Sequence, residues 1–182
     1  MDWGRDGRDW PNREHSRFVR HRPHLWHLQE AGEGPIVLLL HGTGATTHSW
    51  RDIFPILARH YHVVALDLPG QGFTRMGARQ RCGIDGMSKD IAALVDSEGL
   101  LPDVIIGHSA GAALGLRMLR DLKRPPKALV GINAALENFK GMAGFLFPLM
   151  ARLMALNPFS ASEVSRWLGN AAGVGAIIGG TG

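Results

Sequence analysis

The stretch that decides the fold runs from residue 104 to residue 113 and reads Val-Ile-Ile-Gly-His-Ser-Ala-Gly-Ala-Ala. Its apolar start belongs to a strand predicted over residues 103–106, and a helix is predicted from residue 110 to about residue 122. A Gly-x-Ser-x-Gly sequence between a buried strand and a helix is typical of a nucleophile elbow, in which a strained turn lifts the serine clear of the sheet. Glycines suit such a turn because side chains beside the serine would collide with the neighbouring strand and helix. A small-residue turn needed only for packing is the alternative interpretation.

Other strands are indicated by short apolar runs on either side of this stretch. Residues 36–40, 62–66 and 128–132 are almost continuously apolar, which is typical of strands buried on both faces of a parallel sheet. An earlier strand is expected at residues 25–29.

Helical patterns separate these runs. A helix is predicted from about residue 49 to residue 59, and a second one contains Ile91, Leu94 and Val95 and ends near Gly99. Residues 1–23 are polar and are interpreted as a loop. Strands that alternate with helices predict an α/β fold, with a mostly parallel sheet and flanking helices.

Composition limits the class of protein. The 182 residues are 45% hydrophobic and 20% charged, which is typical of one soluble globular domain. The net charge of +4 comes from basic residues interleaved with acids, so we interpret it as surface charge and expect no nucleic-acid partner. Affinity for anionic membrane surfaces or acidic ligands is the weaker alternative. A single cysteine, Cys82, and the lack of a long apolar segment favour a cytoplasmic location.

A glycine-rich loop follows the predicted strand at residues 36–40 and reads His41-Gly42-Thr43-Gly44. We predict Ser109 as the nucleophile and the backbone N–H groups of Thr43 and Ala110 as the oxyanion hole. A plain strand-to-helix turn is the alternative for the loop. The residues expected to support the elbow and the oxyanion loop are Gly42, Gly44, Gly107, His108 and Gly111.

The other histidines near these loops are interpreted as structural. This applies to His41, His48 and His108, whereas the N-terminal histidines are expected to be solvated; these are His15, His21, His24 and His27. None of them has the spacing of metal ligands, so no metal and no cofactor is predicted. Asp67 is expected to cap the turn that follows its strand.

The rest of a catalytic triad is missing from the sequence. In this type of protein an acid and then a histidine follow the serine along the chain, but no histidine follows Ser109. The only later acids, Asp121, Glu137 and Glu163, do not follow a later strand of the sheet. Because serine without a base is a weak nucleophile, we expect this chain to be an N-terminal part that is nearly inert as a serine hydrolase on its own.

A family resemblance is carried by several stretches, at residues 9–14, 16–19, 41–45, 47–50, 67–70, 72–74, 107–113, 146–148, 157–158 and 180–182. Together they resemble the magnesium-chelatase accessory proteins of bacteriochlorophyll biosynthesis, a family related to the α/β-hydrolases. Gln71 stands where that family more often has histidine. The resemblance implies an α/β-hydrolase core over residues 1–135, and the start of a helical cap over residues 136–182, incomplete at its C-terminal end.

The function implied by the resemblance is a role near the insertion of Mg²⁺ into protoporphyrin. Residues 139–159 are rich in Met, Leu and Phe, which would suit a porphyrin ligand or peripheral contact with a membrane, although such a cap can also simply pack on its own sheet. A serine esterase or lipase-like hydrolase of a small acyl substrate is the alternative function.

Overall fold

One mixed sheet organises the described part of the chain, which is residues 1–134 of a computed structural model. Its six strands lie in the order β1-β2-β4-β3-β5-β6. The two pairings that involve β2 are antiparallel, and the other three are parallel. The strands are β1 Ser16–His21, β2 His24–Ala31, β3 Ile36–Leu40, β4 His62–Leu66, β5 Val104–His108 and β6 Ala128–Ile132.

Helices connect the parallel strands, as βαβ units require. Within the described residues the α-helices are α1 Trp3–Asp6, α2 Ile53–Leu57, α3 Ile84–Ser97 and α4 Ala110–Met118. Short 3-10 helices lie at Arg13–His15, Thr47–Trp50 and Arg79–Arg81. None of the helices in this part of the chain is long and apolar enough to cross a membrane.

The predicted α/β fold with a mostly parallel sheet is confirmed, and β3, β4 and β6 occupy the predicted residues. The expected burial on both faces is found for β3 and β4, but it is wrong for β6, where four of the five residues are exposed. Among the described residues β6 is an edge strand, with a neighbour on one side only. The prediction of a loop over residues 1–23 is wrong, because β1 lies within it. This strand pairs only with β2 at the edge of the sheet, and its residues alternate between exposed and half-buried. A half-exposed edge strand lacks the apolar run by which buried strands are recognised.

Two predicted helices are shorter in the structure. The helix expected at about residues 49–59 is divided into the 3-10 turn at Thr47–Trp50 and the short α2. Pro55 lies in the first turn of α2, where its missing N–H costs no helical hydrogen bond, and it disfavours helical backbone in the residue before it. Helix α4 ends at Met118 rather than near residue 122.

The core lies on both faces of the sheet. Alternate residues of β3 point to opposite sides: Leu38 and Leu40 pack in the cluster that contains residues of α3 and α4. Val37 and Leu39 pack in the second cluster, against Trp50 and Phe54. Burial on both faces explains why the sequence of β3 is continuously apolar.

Residues 135–182 lie outside the described part of the chain. The division into a core over residues 1–135 and a cap over residues 136–182 therefore stays a prediction, as does the membrane contact through residues 139–159.

Candidate active site

Ser109 lies between the last residue of β5 and the first residue of α4, on a turn with unusual backbone angles. Its φ is +52° and its ψ is −117°, a combination that L-amino acids rarely adopt. The turn is held from the neighbouring strand, since the Ser109 N–H donates to the carbonyl oxygen of Ile132 at 2.9 Å. The backbone geometry is that of a strained strand-to-helix elbow.

The glycines on either side of Ser109 leave no room for a side chain. A Cβ at Gly111 would collide with the carbonyl oxygen of Leu40 and lie 2.6 Å from that of His41. A Cβ at Gly107 would lie 2.5 Å from the backbone nitrogen of Ala112. All three obstacles are backbone atoms of the packed sheet and helix, which cannot move aside, so only glycine fits at these two positions.

The loop after β3 lies directly against the elbow. Because β3 and β5 are parallel, with Leu40 opposite Gly107, the residues that follow each strand meet at the carboxyl edge of the sheet. A Cβ built on Gly42 would lie 3.2 Å from the Ser109 Cβ and 3.2 Å from the His108 Nδ1. The predicted oxyanion loop and the predicted nucleophile are therefore neighbours in space.

The two predicted oxyanion donors are the backbone N–H groups of Thr43 and Ala110. Among residues 1–134, neither the Thr43 N–H nor the Ala110 N–H donates a hydrogen bond. Thr43 is exposed, and Ala110 begins α4, whose N-terminal end favours negative charge. Their role as an oxyanion hole remains a proposal.

Gln71 holds the oxyanion loop from the turn after β4. Its side-chain oxygen accepts the Gly44 N–H at 2.7 Å, and within the loop the Ala45 N–H donates to the Gly42 carbonyl oxygen at 3.1 Å. Gly44 has a φ of +74°, in the region that favours glycine. The sequence marked Gln71 only as a departure from histidine, so its contact with this loop was missed.

His41 is a buried neutral histidine that ties the same loop to the turn after β4. Its Nδ1–H donates to the Gly42 carbonyl oxygen at 2.8 Å, and its Nε2 accepts the Leu68 N–H at 3.0 Å. Asp67 lies 4.0 Å from this Nε2, but the nitrogen already serves as an acceptor, so the two groups form no ion pair. Burial lowers the pKa of His41 below its ordinary value, which agrees with a neutral ring.

Asp67 joins three segments in the interior. Its Oδ1 accepts the Thr47 N–H at 2.7 Å, and its Oδ2 accepts the Phe73 N–H at 2.9 Å and the Nδ1–H of His27 at 2.8 Å. Burial alone would raise the pKa of Asp67, but the hydrogen bonds and the charge of His27 outweigh it, so the pKa lies below its ordinary value. Asp67 caps the turn after β4, and it also anchors the end of the oxyanion loop.

Two N-terminal histidines that we expected to be solvated are buried, so that expectation is wrong for them. His27 is fully buried beside Asp67, and His24 is buried against Asp90, with 3.1 Å between its Nε2 and the Asp90 Oδ2. The sequence does not indicate this burial, because it depends on residues far away in the chain. Both histidines belong to β2, an internal strand of the sheet, and their carboxylate partners lie 40 residues (His27 and Asp67) and 66 residues (His24 and Asp90) away.

Among the described residues, His48 and Asp121 make their contacts with groups other than Ser109. His48 is exposed and packs edge-on against Trp10, and Asp121 accepts from Ser88 and Arg117. Glu137 and Glu163 lie outside the described residues. Within residues 1–134 no histidine or carboxylate is hydrogen-bonded to the Ser109 hydroxyl, and no three potential metal ligands are gathered. The described residues therefore place the elbow and the loop after β3 side by side, and this part of the chain brings no base to Ser109.

Fold and site together define a class of protein. The sequence profile of the alpha/beta hydrolase fold family matches residues 35–167, which is most of the chain. The protein belongs to the α/β-hydrolase fold family.

Two individual relatives show in more detail which proteins the sequence is similar to. The 30 kDa subunit of magnesium chelatase from Rhodobacter capsulatus is 41% identical over 176 residues, which is 96% of this chain and 61% of that protein. The pimeloyl-[acyl-carrier protein] methyl ester esterase of Nitrosospira multiformis is 36% identical over 107 residues, or 57% of this chain and 40% of that enzyme. The predicted resemblance to the magnesium-chelatase family is confirmed as a similarity of sequence. The chain spans less than two thirds of the length of either relative.

A solved structure shares the fold. An alpha/beta hydrolase fold protein from Burkholderia ambifaria superposes with a TM-score of 0.61 at 27% identity, and the match covers 69% of this chain and 46% of that one.

Proposed function

We propose that the protein is an accessory factor for the insertion of Mg²⁺ into protoporphyrin in bacteriochlorophyll biosynthesis. The observation that carries this proposal is the 41% identity, over 96% of the chain, to the magnesium-chelatase subunit of Rhodobacter capsulatus. An enzyme of the tetrapyrrole pathway is the proposed protein partner, and a porphyrin is the proposed ligand.

The proposed place of the accessory function is the loop and elbow around Ser109. Ser109, the proposed nucleophile, lies against the oxyanion loop, and the two proposed donor N–H groups have no partner among residues 1–134, which supports a role in binding an oxygen of a ligand. Such a site binds a carbonyl or carboxylate oxygen whether or not Ser109 then forms a covalent bond. Binding and catalysis are therefore separable, and the experiment has to test both.

The test is complementation of a Rhodobacter capsulatus strain that lacks its own 30 kDa subunit. Expression of this chain is expected to restore bacteriochlorophyll absorbance and to lower the accumulated protoporphyrin fluorescence. The matched control is the bacterium's own subunit cut to the length that aligns with this chain, since the chain spans 61% of that protein. Restoration by the cut subunit but not by this chain would refute the proposal.

The Ser109→Ala variant, in the same strain, separates the two roles of the site. If Ser109 acts as a nucleophile, this variant loses complementation. If the site only binds, the variant complements as well as the unchanged protein. Ser49→Ala, at an exposed serine of the helical turn after the oxyanion loop, is the control.

Hydrolysis of a small acyl ester is the second candidate function. It is favoured by the strained geometry of Ser109 and by the similarity to the methyl ester esterase. Turnover of p-nitrophenyl acetate is expected to be slow, because residues 1–134 supply no base, and it should disappear in Ser109→Ala. Equal turnover by the variant and the unchanged protein would exclude this function.

A further inference from the structure

A concave pocket lies at the β1–β2 hairpin, apart from Ser109. Its volume is about 340 Å³, which is within the range of sites for small molecules. We call it the arginine pocket, because three arginines and three apolar residues line most of it: Arg20, Arg22, Arg75, Pro23, Leu25 and Met76.

The pairing of the strands places two of these arginines on one face. Arg20 of β1 lies opposite Leu25 of β2, and Leu25 is in turn bridged to Arg75, with hydrogen bonds of 3.1 and 2.8 Å. Residues directly opposite each other in antiparallel strands point to the same side. Arg20 and Arg75 therefore flank Leu25 at roughly 10 Å from each other, which is two strand spacings.

The positive charge of the pocket is not neutralised by neighbouring carboxylates. In the described part of the chain, the side chains of its three arginines take part in no hydrogen bond and no salt bridge. Asp90, which contacts His24 of the pocket lining, is almost fully buried and is hydrogen-bonded to His24 and Arg81. His24 is occupied as well, since its Nδ1 accepts the Gly77 N–H at 3.2 Å. Three like charges without a counter-charge attract an anion.

The pocket opens at the same edge of the sheet as the elbow. Because β2 is antiparallel to β4, with Leu28 opposite Leu66, the start of β2 lies beyond the carboxyl end of β4. Ser109 follows the carboxyl end of β5, which is three strands away from β2 in the sheet order. Three spacings correspond to about 15 Å, so the pocket and the elbow are separate sites.

We propose that the arginine pocket binds an amphiphilic organic oxyanion, a soluble molecule with a carboxylate or phosphate on an apolar body. Guanidinium groups bind both kinds of anion in bidentate geometry. Leu25, Met76 and Pro23 provide apolar contact for the body of the ligand. A concave pocket fits a small molecule better than the flat surface of a bilayer. The proposal does not depend on the chemistry of Ser109, although protoporphyrin, with its two carboxylates, belongs to this class of ligand.

The test compares three forms of the full chain by calorimetric titration with dodecanoate and with dodecyl phosphate. These are the unchanged protein, the Arg20→Gln/Arg75→Gln variant, and Arg59→Gln/Arg120→Gln as the control. Arg59 and Arg120 are exposed and lie outside the pocket, so the control loses the same charge. We expect binding of at least one probe to weaken tenfold or more in the pocket variant and to stay within twofold in the control. The stronger of the two probes identifies the anion.

Affinities within twofold in all three proteins would overturn the proposal, and so would no binding of either probe by the unchanged protein. Arginine-dependent binding to phosphatidylglycerol vesicles without binding of the soluble probes would overturn it too, in favour of a membrane surface. Titration with protoporphyrin tests the proposed function separately. Arginine-dependent binding of dodecanoate without binding of protoporphyrin would support the proposed anion site. The same result would contradict porphyrin as the ligand in the proposed accessory function.

Discussion

At the scale of single residues, Ser109 has a rare backbone conformation. No side chain of the described residues forms a hydrogen bond with its hydroxyl. Its φ of +52° and ψ of −117° are imposed by its surroundings: the Ile132 carbonyl oxygen holds its N–H, and Gly107 and Gly111 pack against backbone atoms. Strain that the surroundings maintain is common at functional sites. The strain costs stability, and that cost can be measured.

The residue-scale prediction concerns Ser109→Gly and Ser109→Ala. Alanine keeps the strain, so its free energy of unfolding should stay within about 0.5 kcal/mol of the unchanged protein. Glycine relieves a backbone strain of about 1–3 kcal/mol, but the greater freedom of its unfolded chain costs about 0.4–1 kcal/mol. The Ser109→Gly variant should therefore be more stable than the Ser109→Ala variant by about 1 kcal/mol. Urea unfolding measures both. A glycine variant less stable than the alanine variant would show that residue 109 is not strained.

At the scale of elements, hydrogen bonds join the N-terminal segment at residues 10–12 to the loop after β3 and to the sheet. The Trp10 indole N–H donates to the Thr47 hydroxyl at 3.1 Å, and the Asn12 amide donates to the Arg51 carbonyl oxygen at 3.2 Å. From the sheet side, the Gln29 amide donates to the Pro11 carbonyl oxygen at 2.6 Å. Thr47 is also bound to Asp67, so the segment supports the loop that carries the proposed oxyanion donor.

The element-scale prediction is a coupling between Trp10 and Thr47. In a double-mutant cycle with Trp10→Phe and Thr47→Val, the two changes should interact by about 1 kcal/mol in the free energy of unfolding, the net value of one hydrogen bond. The control cycle replaces Thr47→Val by Thr46→Val, because the Thr46 hydroxyl accepts from His48 and not from Trp10. Additive effects in both cycles would mean that the indole hydrogen bond contributes nothing.

At the scale of the whole molecule, Asp67 connects strand β2, the oxyanion loop and the turn after β4. Replacing a buried carboxylate with these partners by an amide costs stability, because the NH₂ group of the amide would face a donor. Its lowered pKa also makes the stability of the fold depend on pH.

The whole-molecule prediction follows from the direction of that pKa shift. A carboxylate with a lowered pKa in the folded state stabilises the protein above its unfolded pKa of about 3.9, and this stabilisation is lost as the pH falls through the folded value. At pH 7, Asp67→Asn should lower the free energy of unfolding by about 3 kcal/mol. The deficit should shrink as the pH falls below about 4. Asp85→Asn, at an exposed carboxylate, is the control, with a small effect throughout. A deficit for Asp67→Asn that is unchanged between pH 7 and pH 3 would contradict this account.

The strands buried on both faces and the strand-to-helix turn at Ser109 were predictable from the sequence. Strands β3 and β4 are recognisable because each is a short run of neighbouring apolar residues, and burial on both faces requires such a run. The elbow is recognisable because its serine and its two glycines lie within five residues of the chain, 107–111. In each case the residues that satisfy the physical requirement are close together in the chain, so the sequence by itself determined these features.

Only the tertiary structure decided the features that depend on distant residues. Edge strand β1 has no apolar run and is stabilised by pairing with β2. His27 is buried in a hydrogen bond with Asp67. Arg20 and Arg75 are brought to one face because both lie beside Leu25. A polar residue looks the same in the sequence whether it is solvated or paired with a group 40 or more positions away. The physical reason is that burial and charge pairing belong to positions in space, which the order of residues specifies only after the sheet has formed.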